Sequence, residues 1–174
     1  MMWQDLGPIL GGATVLKNYD ANKWARYSPG GLGLSLELPG GLELLEVPVP
    51  EEAKREYSDL KAYVYQLWTL TAFVYYMEYA SPPDSGELKK ASDEMISGIA
   101  HRAGHSNARF TTKSITKNKL LVSASYTKDG YDLNINGSVQ SKGNKVWWVL
   151  TLYQQGDNAT EAVTRRIKSS VTIN

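Results

Sequence analysis

Three apolar alternations follow one another in the second half of the chain, and they constrain its fold more than any other feature. Leu120, Val122, Ala124 and Tyr126 alternate with Leu121, Ser123, Ser125 and Thr127. After Asp129-Gly130 come Tyr131, Leu133, Ile135 and Val139; after Ser141-Lys142-Gly143-Asn144 come Val146, Trp148, Leu150 and Leu152. A period of two puts alternate side chains on opposite faces of a strand. Asp-Gly accepts the positive φ of a tight hairpin turn. The three runs therefore predict an antiparallel meander with one buried face, with Tyr126 near Tyr131 across the first turn. A register slip of one residue would bury Ser123, Ser125, Asn134 and Asn136 instead, at about 1–3 kcal/mol for each unpaired polar group.

Upstream, Leu32, Leu34, Leu36 and Leu38 alternate, and Pro39-Gly40-Gly41 turns the chain into a short strand over 42–47 that Pro48 and Pro50 stop. Residues 69–79 are β-branched and aromatic in both phases, which predicts a strand covered on both faces. Residues 57–66 read as a strand, with a helix over 51–61 as the alternative. After Pro82-Pro83, the residues Leu88, Ala91, Met95, Ile99 and Ala103 recur at helical spacing, with Glu87 near the start and Arg102 near the end, and Gly104 as a stop. Met95 and Ile99 should share one core with the meander. Asn158 with Glu161 reads as a helix cap and its reciprocal partner, before a narrow apolar edge of Ala159, Val163 and Ile167. Residues 170–173 predict a last short strand. Few helices between runs of antiparallel strands give an α+β fold: a central antiparallel sheet of about six or seven strands with helices packed on it.

At 174 residues the chain has the length of one domain, at roughly 150 residues per domain. Residues 1–23 show no sustained periodicity and read as an N-terminal arm, with 24–174 as a single domain. The apolar stretch from Leu6 to Leu16 is broken by Gly7, Pro8, Gly11 and Gly12, which makes a poor signal peptide. A flexible arm, the remnant of a removed leader and a partner-binding arm are the alternatives. No apolar run approaches the 18 residues a spanning helix needs, so no membrane span is expected.

The chain has no cysteine, which excludes disulfides, thiolate metal sites and a cysteine nucleophile. With its Tyr, Asn, Ser and Thr content, this fits a bacterial extracytoplasmic protein, periplasmic or lipid-anchored, better than a cytoplasmic one. A net charge of +1 argues against nucleic acid as a partner. Lys113, Lys117, Lys119, Lys128, Arg165, Arg166 and Lys168 make the C-terminal half more basic, and read as turn lysines beside sheet aromatics under a helix. His101 and His105 stand at i, i+4, but Gly104 between them breaks the helix such a metal pair needs; they read as solvated. No nucleophile-elbow or phosphate-loop pattern is present. Gly31-Leu32-Gly33 precedes a strand, whereas a dinucleotide loop follows one. No cofactor, metal or catalytic residue is expected, and the chain reads as a non-enzyme. A hydrolase without a motif and a weak nucleic-acid binder are the alternatives.

The order of these parts resembles the PsbP-like superfamily. The resemblance rests on Tyr27-Ser28, Gly33-Leu34-Ser35-Leu36 and Pro39 in a leading strand, and on a helix after Pro82-Pro83. It continues through strands over 120–127, 131–140 and 145–154, and a closing helix with Ala162, Arg166-Ile167, Ser169-Ser170 and then Ile173. It implies a non-enzymatic accessory or binding domain, and no set of family residues transfers with it. The partner is then an unidentified protein or a small apolar ligand, and the oligomeric state stays open. The chain's 11 Tyr and 5 Trp against 2 Phe suit surfaces that are dry on one side and wet on the other. Trp147 and Trp148 must point to opposite faces; Trp148 is the core residue. Trp147 lies either under a helix or, with Tyr75 and Tyr153, in an aromatic groove.

Overall fold

The computed structural model describes residues 23–40, 43–45, 57–67, 70–102, 109–128 and 130–174. The elements run β1 (Ala25–Tyr27), β2 (Leu34–Leu38), β3 (Glu43–Leu45), β4 (Tyr57–Leu67), β5 (Leu70–Tyr79), α1 (Ser85–Arg102), β6 (Arg109–Thr116), β7 (Lys119–Lys128), β8 (Tyr131–Lys142), β9 (Lys145–Gln154), α2 (Asn158–Ser170) and β10 (Thr172–Ile173). The fold is α+β. A seven-stranded antiparallel sheet has the order β3-β4-β5-β9-β8-β7-β6, and a three-stranded sheet has the order β1-β2-β10.

The meander forms in the expected register class. Lys128 pairs with Tyr131 around the first turn, and Lys142 pairs with Lys145 around the second. Gly130 and Gly143 take positive φ (83° and 63°), which glycine alone adopts without strain. Tyr126 sits opposite Leu133 rather than Tyr131, two pairs back from the pair that closes the turn, on the same face. Gly137 faces Val122 on one side and Leu150 on the other. A Cβ there would run into the Val149 carbonyl, so the close approach of β8 to β9 requires glycine at this position.

The large sheet carries a core on each face. On the inner face, Leu88, Ile96, Ile99 and Ala100 of α1 cover Phe73, Leu120, Val122, Leu133, Ile135, Trp148 and their neighbours. This is the core expected from the alternation; the side chain of Tyr131 lies outside the described residues. The buried ridge of α1 differs from the expected one. Ile96 is buried, Met95 and Ala91 are only partly so, and Ser92 is fully covered. Ser92 tolerates burial because its hydroxyl donates to the Leu88 carbonyl at 2.7 Å and accepts from the Trp148 indole N–H at 3.0 Å. The helix starts on a reciprocal cap. The Glu87 N–H donates to Asp84 Oδ1 at 2.8 Å, and the Asp84 N–H donates to Glu87 Oε2 at 3.0 Å. Residues 103–108, with the expected stop at Gly104 and His105, lie outside the described residues, as does the side chain of His101.

On the outer face, Leu32, Leu34, Leu36 and Leu38 join Val163 and Ile167 of α2 over Leu70, Ala72, Val74, Tyr76, Trp147, Val149 and Tyr153. Strand β5 is thus covered on both faces for most of its length, as its composition predicts. Two details of α2 correct the sequence reading. Its N-cap is Asp157, which accepts from the Thr160 N–H at 3.2 Å and from the Thr160 hydroxyl at 2.7 Å. Glu161 accordingly reaches back to the Gly156 N–H, at 3.3 Å. The buried edge is Thr160, Val163, Thr164, Ile167 and Ser170, whereas Ala159 is exposed. At the other end of the helix, Arg26 donates to the Ser170 carbonyl at 3.0 Å, tying β1 to α2. The expected arm falls on residues outside those described, apart from Lys23.

Candidate functional site

The small sheet and α2 cover the outer face over β4, β5 and β9 but leave it open over β6, β7 and β8. Strand alternation then decides what solvent meets there. The outward phase reads Thr111 and Lys113 on β6, Leu121 and Ser123 on β7, and Asn136 and Ser138 on β8. Register lines these up in two rungs: Lys113, Leu121 and Ser138 in one, and Thr111, Ser123 and Asn136 in the next. Arg165, Lys168 and Ser169 on the last turns of α2 form a wall at the β8 side. Lys119 stands at the start of β7. The result is a groove of about 580 Å³ with cations on both banks. Leu121, in its floor, is 41% exposed, and Ile115, two residues along β6 from Lys113, is 47% exposed.

Lys168 is held most firmly. Its Nζ donates to Asn136 Oδ1 at 2.6 Å. Asn136 is itself fixed: its Nδ2 donates to the Tyr153 hydroxyl at 2.9 Å, and Thr151 Oγ1 donates to its oxygens at 3.1 Å. Partial burial lowers the Lys168 pKa from its ordinary value. The Arg165 guanidinium pushes the same way, and Glu161 opposes. A charge partly stripped of water, beside a second cation, is one that an anion would stabilise. No carboxylate lines the groove among the described residues.

The three residues expected to line an aromatic groove do not meet in one. Trp147 is 3% exposed. The turn and strand carrying Leu32 to Leu38 cover it, and its indole N–H donates to the Leu32 carbonyl at 2.9 Å. Tyr76 lies beside its ring at 5.8 Å between centroids. Tyr75 is buried on the other face, paired with Trp148 and stacked on Phe73. Tyr153 is buried on the outer face and bears on the groove only through Asn136. Of the basic residues, Lys113, Lys119, Arg165 and Lys168 do converge. Arg166 instead faces Glu37 at 3.5 Å and lies 4.0 Å over the Trp24 ring. The floor residues Leu121, Ser123, Asn136 and Ser138 went unrecognised in the sequence. Their only signal is the polar phase of the same alternation that marks the core.

Chemically, the groove offers cations, hydroxyls and amides, the donor set for an anion. Lys168 contacts an amide oxygen, not a nucleophilic hydroxyl. Among the described residues, no group of three or more His, Asp or Glu is placed to hold a metal. No helix among them is long and apolar enough to cross a membrane.

The architecture defines a class, an α+β sandwich with one large antiparallel sheet between a helix and a small sheet. Among solved structures it is shared with Mog1p, the Ran-binding protein of Saccharomyces cerevisiae, at a TM-score of 0.53 and 10% identity, over 86% of this chain and 95% of that one. At that identity the likeness is one of fold alone. A protein of Bacteroides thetaiotaomicron matches at a TM-score of 0.48 and 13% identity, over 87% of this chain and 49% of its own. LpqN of Mycobacterium tuberculosis, involved in cell envelope biogenesis, matches at a TM-score of 0.42 and 13% identity, over 87% and 90%. No family model matches the chain, and no curated protein matches it in sequence.

Proposed function

We propose that this chain is a non-enzymatic binding and assembly module with a PsbP-like fold, and that it takes a protein partner in the groove between β6–β8 and α2. The observation that carries the reading is the groove itself: Lys113, Lys119, Arg165 and Lys168 converge there on a chain whose net charge is +1. The positive field is local, as for a directed contact, rather than a general basic excess. Leu121 and Ile115 add exposed apolar area beside the charges, a mixture that suits a protein surface.

The other occupants fit less well. A small apolar ligand needs an apolar cavity, whereas Trp147 and Trp148 sit in cores filled by the chain's own side chains. Single-stranded nucleic acid needs aromatic platforms beside the cations, and Tyr126, Trp147 and Tyr153 are buried. Mog1p, described as Ran-binding, provides a fold-level analogy for a protein partner and nothing about its identity. Residues 24–174 are taken as one folding unit. A cysteine-free composition supports an extracytoplasmic compartment.

In-cell photo-crosslinking tests the site. A photo-reactive residue replacing Leu121 should yield discrete protein adducts, and one replacing the exposed Ala162 on α2 should not. Equal adducts at both positions, or none at Leu121, would overturn the reading.

A further inference from the structure

The two banks of the groove are chemically alike and geometrically apart, and this constrains what lies between them. Lys113 stands on β6 and Arg165 with Lys168 on α2 beside β8, with Leu121 of β7 in the floor. Neighbouring strands are about 4.8 Å apart, so the β6 and β8 backbones are separated by roughly 10 Å. That is room for one extended chain lying over β7. In an extended chain, successive side chains point to opposite sides, and alternate ones repeat about every 7 Å. One set would face Lys113 and the other would face Arg165 and Lys168, with Leu121 and Lys119 of β7 beneath the chain.

Lys168 is already oriented. The Tyr153 hydroxyl and Thr151 fix Asn136, and Asn136 Oδ1 holds the ammonium. A partner's carboxylate therefore meets a cation whose ordering is complete before binding. Ser123 and Ser138 add hydroxyl donors between the banks, whereas the Ser169 hydroxyl on α2 donates to the Arg166 carbonyl. The nearest acids on neighbouring elements are placed elsewhere. Asp132 accepts from the Thr127 hydroxyl at 2.7 Å, four pairs along β8 from Asn136, and Glu161, nearly two turns before Lys168 on α2, accepts from the Gly156 N–H, though its charge still reaches Lys168.

We propose that the partner segment is an extended acidic stretch carrying Asp or Glu on both sides and an aliphatic residue set against Leu121. This rests on the reading of the groove as a protein-binding site and narrows it to one chemistry. It also places Lys113, Lys119, Arg165 and Lys168 as the residues that select the partner.

The test uses the full chain and three probes in calorimetric titrations: a short Glu-Val peptide of repeating Glu-Glu-Val, which puts Glu on both sides of an extended chain, its Gln-Val counterpart of repeating Gln-Gln-Val, and a thymidine oligonucleotide of similar length. The Glu-Val peptide should bind and the Gln-Val peptide should be at least about tenfold weaker. Joint Lys113→Gln and Arg165→Gln substitution should weaken Glu-Val binding by about tenfold or more. Lys89→Gln with Lys90→Gln, both exposed on α1, should leave it unchanged. All four positions are at the surface, so the variants fold, and a circular-dichroism melt checks this. Equal affinity for the two peptides, an equal loss in both variants, or tighter binding of the oligonucleotide would overturn the proposal. If Leu121 crosslinks to protein but no acidic peptide binds, the acidic partner is wrong and the groove stands. If neither occurs, both fall.

Discussion

Trp148 and Ser92 show how one hydrogen bond lets a large amphipathic residue occupy the centre of a core. The Trp148 ring is fully buried, and its N–H finds Ser92 on the helix above it. Trp148→Ala is expected to lose about 3–5 kcal/mol in urea unfolding, the cost of an unfilled aromatic site. Ser92→Ala, which removes little volume but leaves the indole N–H unpaired, is expected to lose about 1–3 kcal/mol. Tyr76 presents the same economy on the outer face, where its hydroxyl donates to Glu78 at 2.9 Å. Burial, then the Glu78 hydrogen bond and charge, push its pKa up to about 12. The unfolded chain releases this proton near pH 10 while the folded one keeps it, so Tyr76 contributes stability that is full below pH 10 and is lost as pH rises towards 12. Urea midpoints measured across that interval should fall less steeply for Tyr76→Phe than for the parent. Lys168 acts with the opposite sign, its lowered pKa making stability rise with pH up to about 10.5. Alternation within one strand set Trp147 and Trp148 on opposite faces, but it did not show that Tyr75 belongs to the face opposite Trp147 and Tyr153. The meeting of Tyr75 with Trp148 and Tyr76 with Trp147 was not readable either, because it depends on the register between β5 and β9, two elements far apart in the chain.

Elements were legible where their own periodicity decides them and less so where a partner does. Strands β7, β8 and β9 alternate cleanly and are joined by glycine turns, so their order and faces follow from local sequence. Helix α1 was legible as a helix but not in its buried ridge, because Ser92 belongs to that ridge only through Trp148, 56 residues away. The start of α2 was displaced by one residue because Asp157 and Asn158 are both good caps and each has an acidic or amide-binding residue in reach. The structure chooses Asp157, whose carboxylate accepts from both the N–H and the hydroxyl of Thr160. Asp157→Ala should therefore lose about 1–2 kcal/mol. Asn158→Ala, at an exposed position, should stay within about 0.5 kcal/mol. Thermal melts of the two variants separate the assignments. Equal losses would mean that the cap is shared. The groove escaped sequence reading for a related reason: its cations come from β6, β7 and α2, and only the β7-β8 pairing and the lie of α2 bring them together.

At the scale of the whole molecule, one sheet separates two cores that form separate clusters among the described residues. Strands β5 and β9 contribute to both, Phe73 and Trp148 to the α1 side and Val74 and Trp147 to the side of the small sheet. The two sides are therefore joined through backbone hydrogen bonds rather than through shared side-chain contacts. Such an arrangement predicts energetic independence together with joint unfolding. Leu36→Ala and Ile96→Ala remove fully buried side chains on opposite faces, and each should cost about 2–5 kcal/mol. They are separated by the sheet and share no partner, so the double variant should equal their sum within about 0.5 kcal/mol. Loss of either face would still expose the central strands, so unfolding should remain one transition. Urea curves followed by near-ultraviolet and far-ultraviolet circular dichroism should coincide for all four proteins. The near-ultraviolet signal reports Trp147 and Trp148 from both faces at once, whereas the far-ultraviolet signal is dominated by the large sheet. A first transition that Leu36→Ala moves and Ile96→Ala does not would mean that the β1-β2-β10 layer detaches by itself. The outer face would then open over Trp147 as well as over β6–β8, and the groove would be one end of a larger surface whose cover is only loosely held.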